Sequence, residues 1–428
     1  MKTIELNALN KQDILSKLLK RSTNDYSEYE KTVSEIIENV RKNGDKALFE
    51  YALKFDGAKL DASNFTVSEE EIKEGVTATD KELYDVMREA FGNIKSYHEK
   101  QVRQSFFSTN EDGSILGQRI TPLERVGVYV PGGKAVYPST LLMNIAPAVV
   151  AGVDEIMICT PADREGRVNP VVLAAADIAG VKKICKTGGA QAIAAMAYGT
   201  ESIEKTDKIV GPGNIFVALA KRAVYGHVSI DSVAGPSEVM VLADETANAR
   251  FAAADLLSQA EHDELASAIL VTTSKEKAAE VIKEIEEFVP KLSRREIIER
   301  SLDNFGFVLI AEDPQDAYDA VNLIAPEHLE IMTKEPWQTM TKIRNAGAIF
   351  LGPYSSEPLG DYFAGPNHVL PTNGTARFFS PLSVDDFIKK SSVIAYSEEG
   401  LKKVSKKVQA FAESEGLTAH ANSIAVRE

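Results

Sequence analysis

Only two of the 428 residues are cysteine, Cys159 and Cys185. Both fall in short apolar runs, which excludes a disulfide framework, predicts buried thiols and points to a reducing cytoplasm. Positive charge is also short. Lys and Arg number 48 against 63 Asp and Glu, a net charge of −15, so a nucleic-acid partner, which usually asks for clustered Lys and Arg, is not expected. Phosphate-bearing cofactors stay open, because helix N-termini can hold them through backbone N–H groups. No apolar run approaches the roughly 20 residues a bilayer requires. Those around Val149 and Ile193 are broken by Gly, Asp or Pro, and no membrane partner is expected. The opening MKTIELNALNKQDILSKLL is polar and amphipathic, unlike a signal peptide. The dinucleotide fingerprint GxGxxG is missing, and histidine occurs only six times.

What is present is an alternation of short apolar strands with Ala-rich helices, in a chain long enough for two major units. Residues 1 to about 105 read as helical, with 1–25 as a helical N-terminal arm. From Arg125 the strands at 126–130, 155–159, 182–186, 208–210 and 228–230 alternate with helices beginning near Thr140, Pro170, Ala190 and Asn214. That texture predicts parallel strands with crossover helices. After Ser237 the pattern restarts, with strands at 238–242, 268–272, 307–311, 329–332 and 348–351. The expected fold is α/β, two Rossmann-like doubly wound parallel-sheet units with helical N-terminal and C-terminal appendages. Residues 125–236 form one unit, 26–124 with 237–380 the other, and 381–428 a charged tail suited to clasping the body or a partner subunit.

Three glycine clusters follow predicted strands: 130–133 (VPGG), 187–191 (TGGAQ) and 211–214 (GPGN). Each alone reads equally well as a tight turn, but three in one unit favour a nucleotide cofactor. A helix over RFAAADLLSQAEHDE, residues 250–264, places Gln259 and His262 three apart on one face. In isolation that pair reads as a polar helix end. His98, beside Glu99 and Lys100, reads as solvated, and His227 as structural. Glu327 and His328 sit side by side at a strand entrance, both natural acid/base groups. His368 and Asp361 share a Gly/Pro/Asn-rich loop, and His420 stands in the tail. Gln259, His262, Asp361 and His420 together would make two nitrogen and two oxygen ligands suited to Zn²⁺, although their spacing alone does not single them out.

The sequence resembles the histidinol dehydrogenase family along essentially its whole length. The resemblance rests on IVGPGN (209–214), DSVAGPSE (231–238), LSQAEHD (257–263), APEHLE (325–330), LGDYFAGPNH (359–368) and EGLTAHA (415–421), in the family's order. It implies that Gln259, His262 and Asp361 bind one zinc per subunit, with His420 supplied by the other subunit's tail in a swapped homodimer. Glu327 and His328 match the acid/base pair. Tyr129, Gln191 and Asn214 match NAD contacts, while Ser237, Gln259, His262, His328, Asp361, His368, Glu415 and His420 match or border the substrate site.

The implied reaction is the four-electron oxidation of L-histidinol to L-histidine with two NAD⁺, through a bound aldehyde, at the end of histidine biosynthesis. On that reading His328 is neutral near pH 7 and takes the hydroxyl proton, and Glu327 activates water for attack on the aldehyde. A zinc hydrolase using Glu327 without nucleotide is the rival enzyme. A nucleotide-sensing scaffold stapled by zinc is the rival from another class.

Overall fold

In the computed structural model, residues 1–7, 9–11, 26–132, 137–233 and 235–428 are described. Two parallel sheets dominate. The first orders its strands Lys183–Lys186, Glu155–Thr160, Arg125–Tyr129, Lys208–Val210 and Ser229–Ile230. Counted along the chain, that order is 3-2-1-4-5. The second repeats it with Gly306–Ala311, Ser267–Thr272, Glu238–Ala243, His328–Met332 and Ala348–Leu351. The shared texture of the two halves is therefore a shared topology, and the doubly wound expectation holds.

The second sheet carries a sixth strand that corrects the expected helical arm. Lys2–Leu6 lies parallel to Gly306–Ala311 in the register Lys2↔Phe307 to Leu6↔Ala311. Leu6 is fully buried there. A segment with alternating Ile4 and Leu6 satisfies its backbone groups on an open sheet edge, so pairing with a distant strand overrides the amphipathic reading. Residues 12–25 of that arm lie outside the described residues.

Further elements were not expected, among them the helix Glu357–Tyr362, which carries Asp361 in place of the expected loop. Phe106–Thr109, Ile115–Pro122 and Ile388–Ala395 form an antiparallel ribbon, so the tail contributes a strand before its helices Glu398–Ser414 and Thr418–Ala425. The helix Arg295–Phe305 also escaped the sequence reading. No described helix is long and apolar enough to cross a membrane.

Helix starts follow local chemistry. Asp80 accepts from the Leu83 N–H, Asn169 from Val171 with Pro170 next in line, and Asp313 from Asp316. Pro138–Ala151 is buried from Thr140 to Ala148 and packs against the helix Lys81–Glu99. Cys159 and Cys185, adjacent in register on neighbouring strands, are buried free thiols.

Residues 231–237 run from the carboxyl end of Ser229–Ile230 in the first sheet to the amino end of Glu238–Ala243 in the second. Seven residues span at most about 25 Å. The carboxyl ends of the first sheet and the amino ends of the second are thereby kept close along the chain.

Candidate active site between the two sheets

Tyr129 ends the central strand of the first sheet, and Gly211 follows the neighbouring strand Lys208–Val210, at the point where strand order reverses. Such a switch point is where open α/β sheets bind ligands. Gly211 adopts φ +116°, and a Cβ there would stand 2.1 Å from the Tyr129 carbonyl oxygen, so only glycine fits. The Tyr129 hydroxyl accepts the Gly189 N–H at 3.1 Å, and Gln191 is buried on the helix Gly189–Tyr198. Asn214 is exposed and caps the helix Ile215–Val224 by accepting from Phe216 and Val217. The described residues of all three glycine clusters lie at this one edge. Gly133 falls outside them.

The second group gathers at the opposite kind of edge, the amino ends of the second sheet. His328 opens its strand beside Val239. One residue, Glu238, holds both side chains: its N–H donates to Glu327 Oε2 at 2.8 Å, and its carbonyl accepts from His328 Nδ1 at 3.0 Å. That bond fixes the tautomer and leaves Nε2 as the exchangeable position. Burial pushes Glu327 up to about 8. Burial also works against charge on His328, but Glu327 and Asp361 outweigh it and push the imidazole up to about 10. Asp361 Oδ1 lies 3.5 Å from Nε2.

The helix Ala249–Ala260 ends two residues before His262, with Asn248 as its cap. His262 instead sits in the following turn, its N–H donating to the Gln259 carbonyl at 3.1 Å. Acidic residues at 261, 263 and 264 oppose the helix dipole at a C-terminus, which accounts for the early stop. Gln259 is buried and its Oε1 has no hydrogen-bond partner; nor has His328 Nε2. Unpartnered buried polar atoms are costly and call for a ligand. Burial lowers the His262 pKa while Asp361 opposes the shift, which puts the two close together. His368 Nδ1 donates to the Asp361 carbonyl at 3.0 Å. Burial lowers its pKa too, opposed by Asp361, with His328 and His262 also close enough to act on it. A cavity of about 620 Å³ opens here, lined by Tyr97, His328, Phe350, Asp361, Asn367 and His368 among others.

A family profile for histidinol dehydrogenase matches residues 19–428. The chain belongs to the histidinol dehydrogenase family. It is 55% identical to the histidinol dehydrogenase of Clostridium acetobutylicum over 427 residues, 100% of this chain and 99% of that protein. It is 58% identical to that of Geobacillus kaustophilus over 400 residues, 94% of each. The crystal structure of histidinol dehydrogenase from Elizabethkingia anophelis matches with a TM-score of 0.95 at 38% identity, covering 100% of this chain and 98% of that one.

Of the residues the family resemblance singled out, Gln259, His262, Glu327, His328, Asp361 and His368 come together, with Ser237 immediately before Glu238. Tyr129, Gln191 and Asn214 belong to the carboxyl edge of the first sheet. Glu415 and His420 are exposed in the tail, whose segment from Ser397 onward makes its hydrogen bonds to the Asp112–Ser114 turn and within itself.

Glu357 was missed. It sits one turn before Asp361 on the helix Glu357–Tyr362, and His328, Glu357 and Asp361 place one ligand atom each within 4.8 Å of one another. Ser258 Oγ donates to its Oε2 at 3.0 Å. His98 was misjudged: it is fully buried, donates from Nδ1 to the Ile94 carbonyl at 2.8 Å and props Asn367 beside the His368 loop.

Behind Glu357, Glu330 accepts the Glu357 N–H at 2.8 Å. Burial, then the neighbouring Asp255, pushes this carboxyl up to about 10 from 4.5. The folded chain keeps a proton that the unfolded chain releases, so this group lowers stability as pH rises from 4.5 toward 10. Glu330→Gln imitates the protonated form. Melting curves over a pH series should coincide with the parent below pH 4.5 and show the variant melting higher at about pH 8; a variant that melts lower at both would refute the assignment.

Proposed function

We propose that this chain is a zinc- and NAD-dependent histidinol dehydrogenase that oxidises L-histidinol to L-histidine through bound L-histidinal, closing histidine biosynthesis in the cytoplasm. The observation that carries it is the pairing of Glu327 and His328 on the two peptide groups of Glu238, beside Asp361 and the unpartnered Gln259 oxygen. Residues 125–236 would take the nucleotide through Tyr129, Gln191 and Asn214. Residues 26–124 and 237–380 would hold the substrate.

The donor set fits a borderline cation. Gln259 Oε1, His262 and an Asp361 oxygen would hold zinc, with the partner subunit's His420 completing the set in a homodimer with swapped tails. Exposed Ile394, Phe411 and Val426 on the ribbon and tail support a covered face there. When bound, zinc supplies an anchor for the imidazole and amine of the substrate, and NAD⁺ supplies the hydride acceptor.

The rest of the chemistry falls to the chain's own side chains. Asp361, one of the two carboxylates that raise His328, would be engaged as a ligand when zinc is bound, which favours a neutral Nε2 able to take the hydroxyl proton as the carbinol hydride leaves. Glu327, dry and raised toward neutrality, removes a proton from the water that adds to the aldehyde. His328 takes the next proton as the hydrated aldehyde gives up its hydride. Ser237 and His368 border the substrate, as does the partner subunit's Glu415.

The test is metal analysis alongside NADH counted at 340 nm. About two NADH per histidinol are expected from a four-electron oxidation, together with loss of turnover when the metal is chelated and its return with Zn²⁺. A yield of about one, or turnover undiminished in fully metal-free protein, would refute the reading.

A further inference from the structure

We propose that the buried Lys221–Asp231 pair is a positioning device that sets the nucleotide loop Gly211–Asn214 and ties it to the segment leading to Ser237. Both side chains are almost fully buried, and they form an ion pair. Together they hold both backbone polar groups of one glycine. Lys221 Nζ donates to the Gly211 carbonyl at 2.9 Å, and Asp231 Oδ2 accepts the Gly211 N–H at 2.8 Å. Asp231 Oδ1 also accepts the Ser232 N–H at 2.7 Å, at the start of the connection between the sheets.

A buried ion pair is a weak source of stability, because desolvation offsets most of its attraction, and its better-attested role is to select one geometry. The geometry selected here is that of a very short loop. Gly211 is held by the pair, and Asn214 is held at the other end by capping the helix that carries Lys221. Only Pro212 and Gly213 lie between, and Pro212 has a fixed φ. A Cβ at Gly211 would stand 2.1 Å from the Tyr129 carbonyl oxygen, so the loop passes that strand with no room for a side chain. One carboxylate therefore sets where Asn214 stands relative to Tyr129 and where the chain departs toward Ser237 and Glu238.

This inference rests on the reading that Asn214 and Tyr129 contact NAD, and the experiment separates the two. In the zinc-loaded full-length enzyme, Lys221→Met alone strands a buried carboxylate and endangers the fold. The neutral double variant Lys221→Met with Asp231→Asn removes both charges together. It should melt within a few degrees of the parent and keep its zinc content and its histidinol affinity, while its dissociation constant for NAD⁺, measured by calorimetry, rises about tenfold or more. Lys221→Arg, which keeps the charge, should recover part of that loss. A double variant that binds NAD⁺ as the parent does would overturn the proposal. Failure of that variant to fold would overturn it too, because the pair would then carry the fold rather than the loop. Asn214→Ala is the control. If it weakens NAD⁺ binding and the double variant does not, only this inference falls; if neither does, the nucleotide assignment of the loop falls.

Discussion

Glu327→Gln should leave the alcohol half of the reaction nearly intact and slow the aldehyde-to-acid half by about 10²–10⁴-fold, the usual contribution of a positioned base. The substitution preserves the local geometry. Glu327 is held through Oε2 by the Glu238 N–H, and the amide oxygen of glutamine accepts the same bond, so position is kept and basicity lost. Burial raises this carboxyl to about 8, which matches it to removing a proton from water near neutral pH. His328, by contrast, is fixed at Nδ1 by the Glu238 carbonyl, and on the proposed mechanism it takes the first proton at Nε2, so that transfer should not require Glu327. Single-turnover NADH formation from histidinol should then show one fast equivalent followed by a stalled second. Equal slowing of both equivalents would mean that Glu327 acts by holding His328, whose Nδ1 lies 3.8 Å away, rather than by activating water.

What the sequence reveals depends on how local the cause is. Helix starts were legible because a cap is a contact over two or three residues, as at Asn169, which accepts from Val171 at the start of the helix expected near Pro170. The parallel sheets were legible because their strands alternate with helices. The edge strand Lys2–Leu6 and the pairing of Ile115–Pro122 with Ile388–Ala395 were not, because each depends on a partner hundreds of residues away. Glu330 and Glu357 look like any surface acid in sequence, and only packing reveals their burial. His98 did carry a signal: it falls four residues after Ile94 and eleven after Met87, on the buried stripe of its helix. The neighbouring Glu99 and Lys100 concealed it. Gln259, His262 and Asp361 are scattered over about a hundred residues, so only the family resemblance joined them, and their convergence needs the second sheet to bring helix and loop to one edge.

Mixing two inactive variants should restore about a quarter of parental activity, because random pairing makes half the dimers mixed and each mixed dimer has one intact site. The variants are His262→Ala and His420→Ala, refolded together or co-expressed. The argument starts from the tail. From Ser397 onward its hydrogen bonds tie it to the Asp112–Ser114 turn and to itself, and His420 is exposed on the helix Thr418–Ala425. Phe411 and Val426 are exposed there at 71% and 69%, more apolar surface than a tail helix in free solution would be expected to keep bare. A second copy lying against that surface could receive His420 beside its own Gln259 and Asp361, and would give its tail in return. In a mixed dimer one site then combines both substitutions and the other has neither. If His420 instead serves its own chain, every site carries one substitution and the mixture stays as inactive as its parts. If it serves no site, His420→Ala is active unmixed.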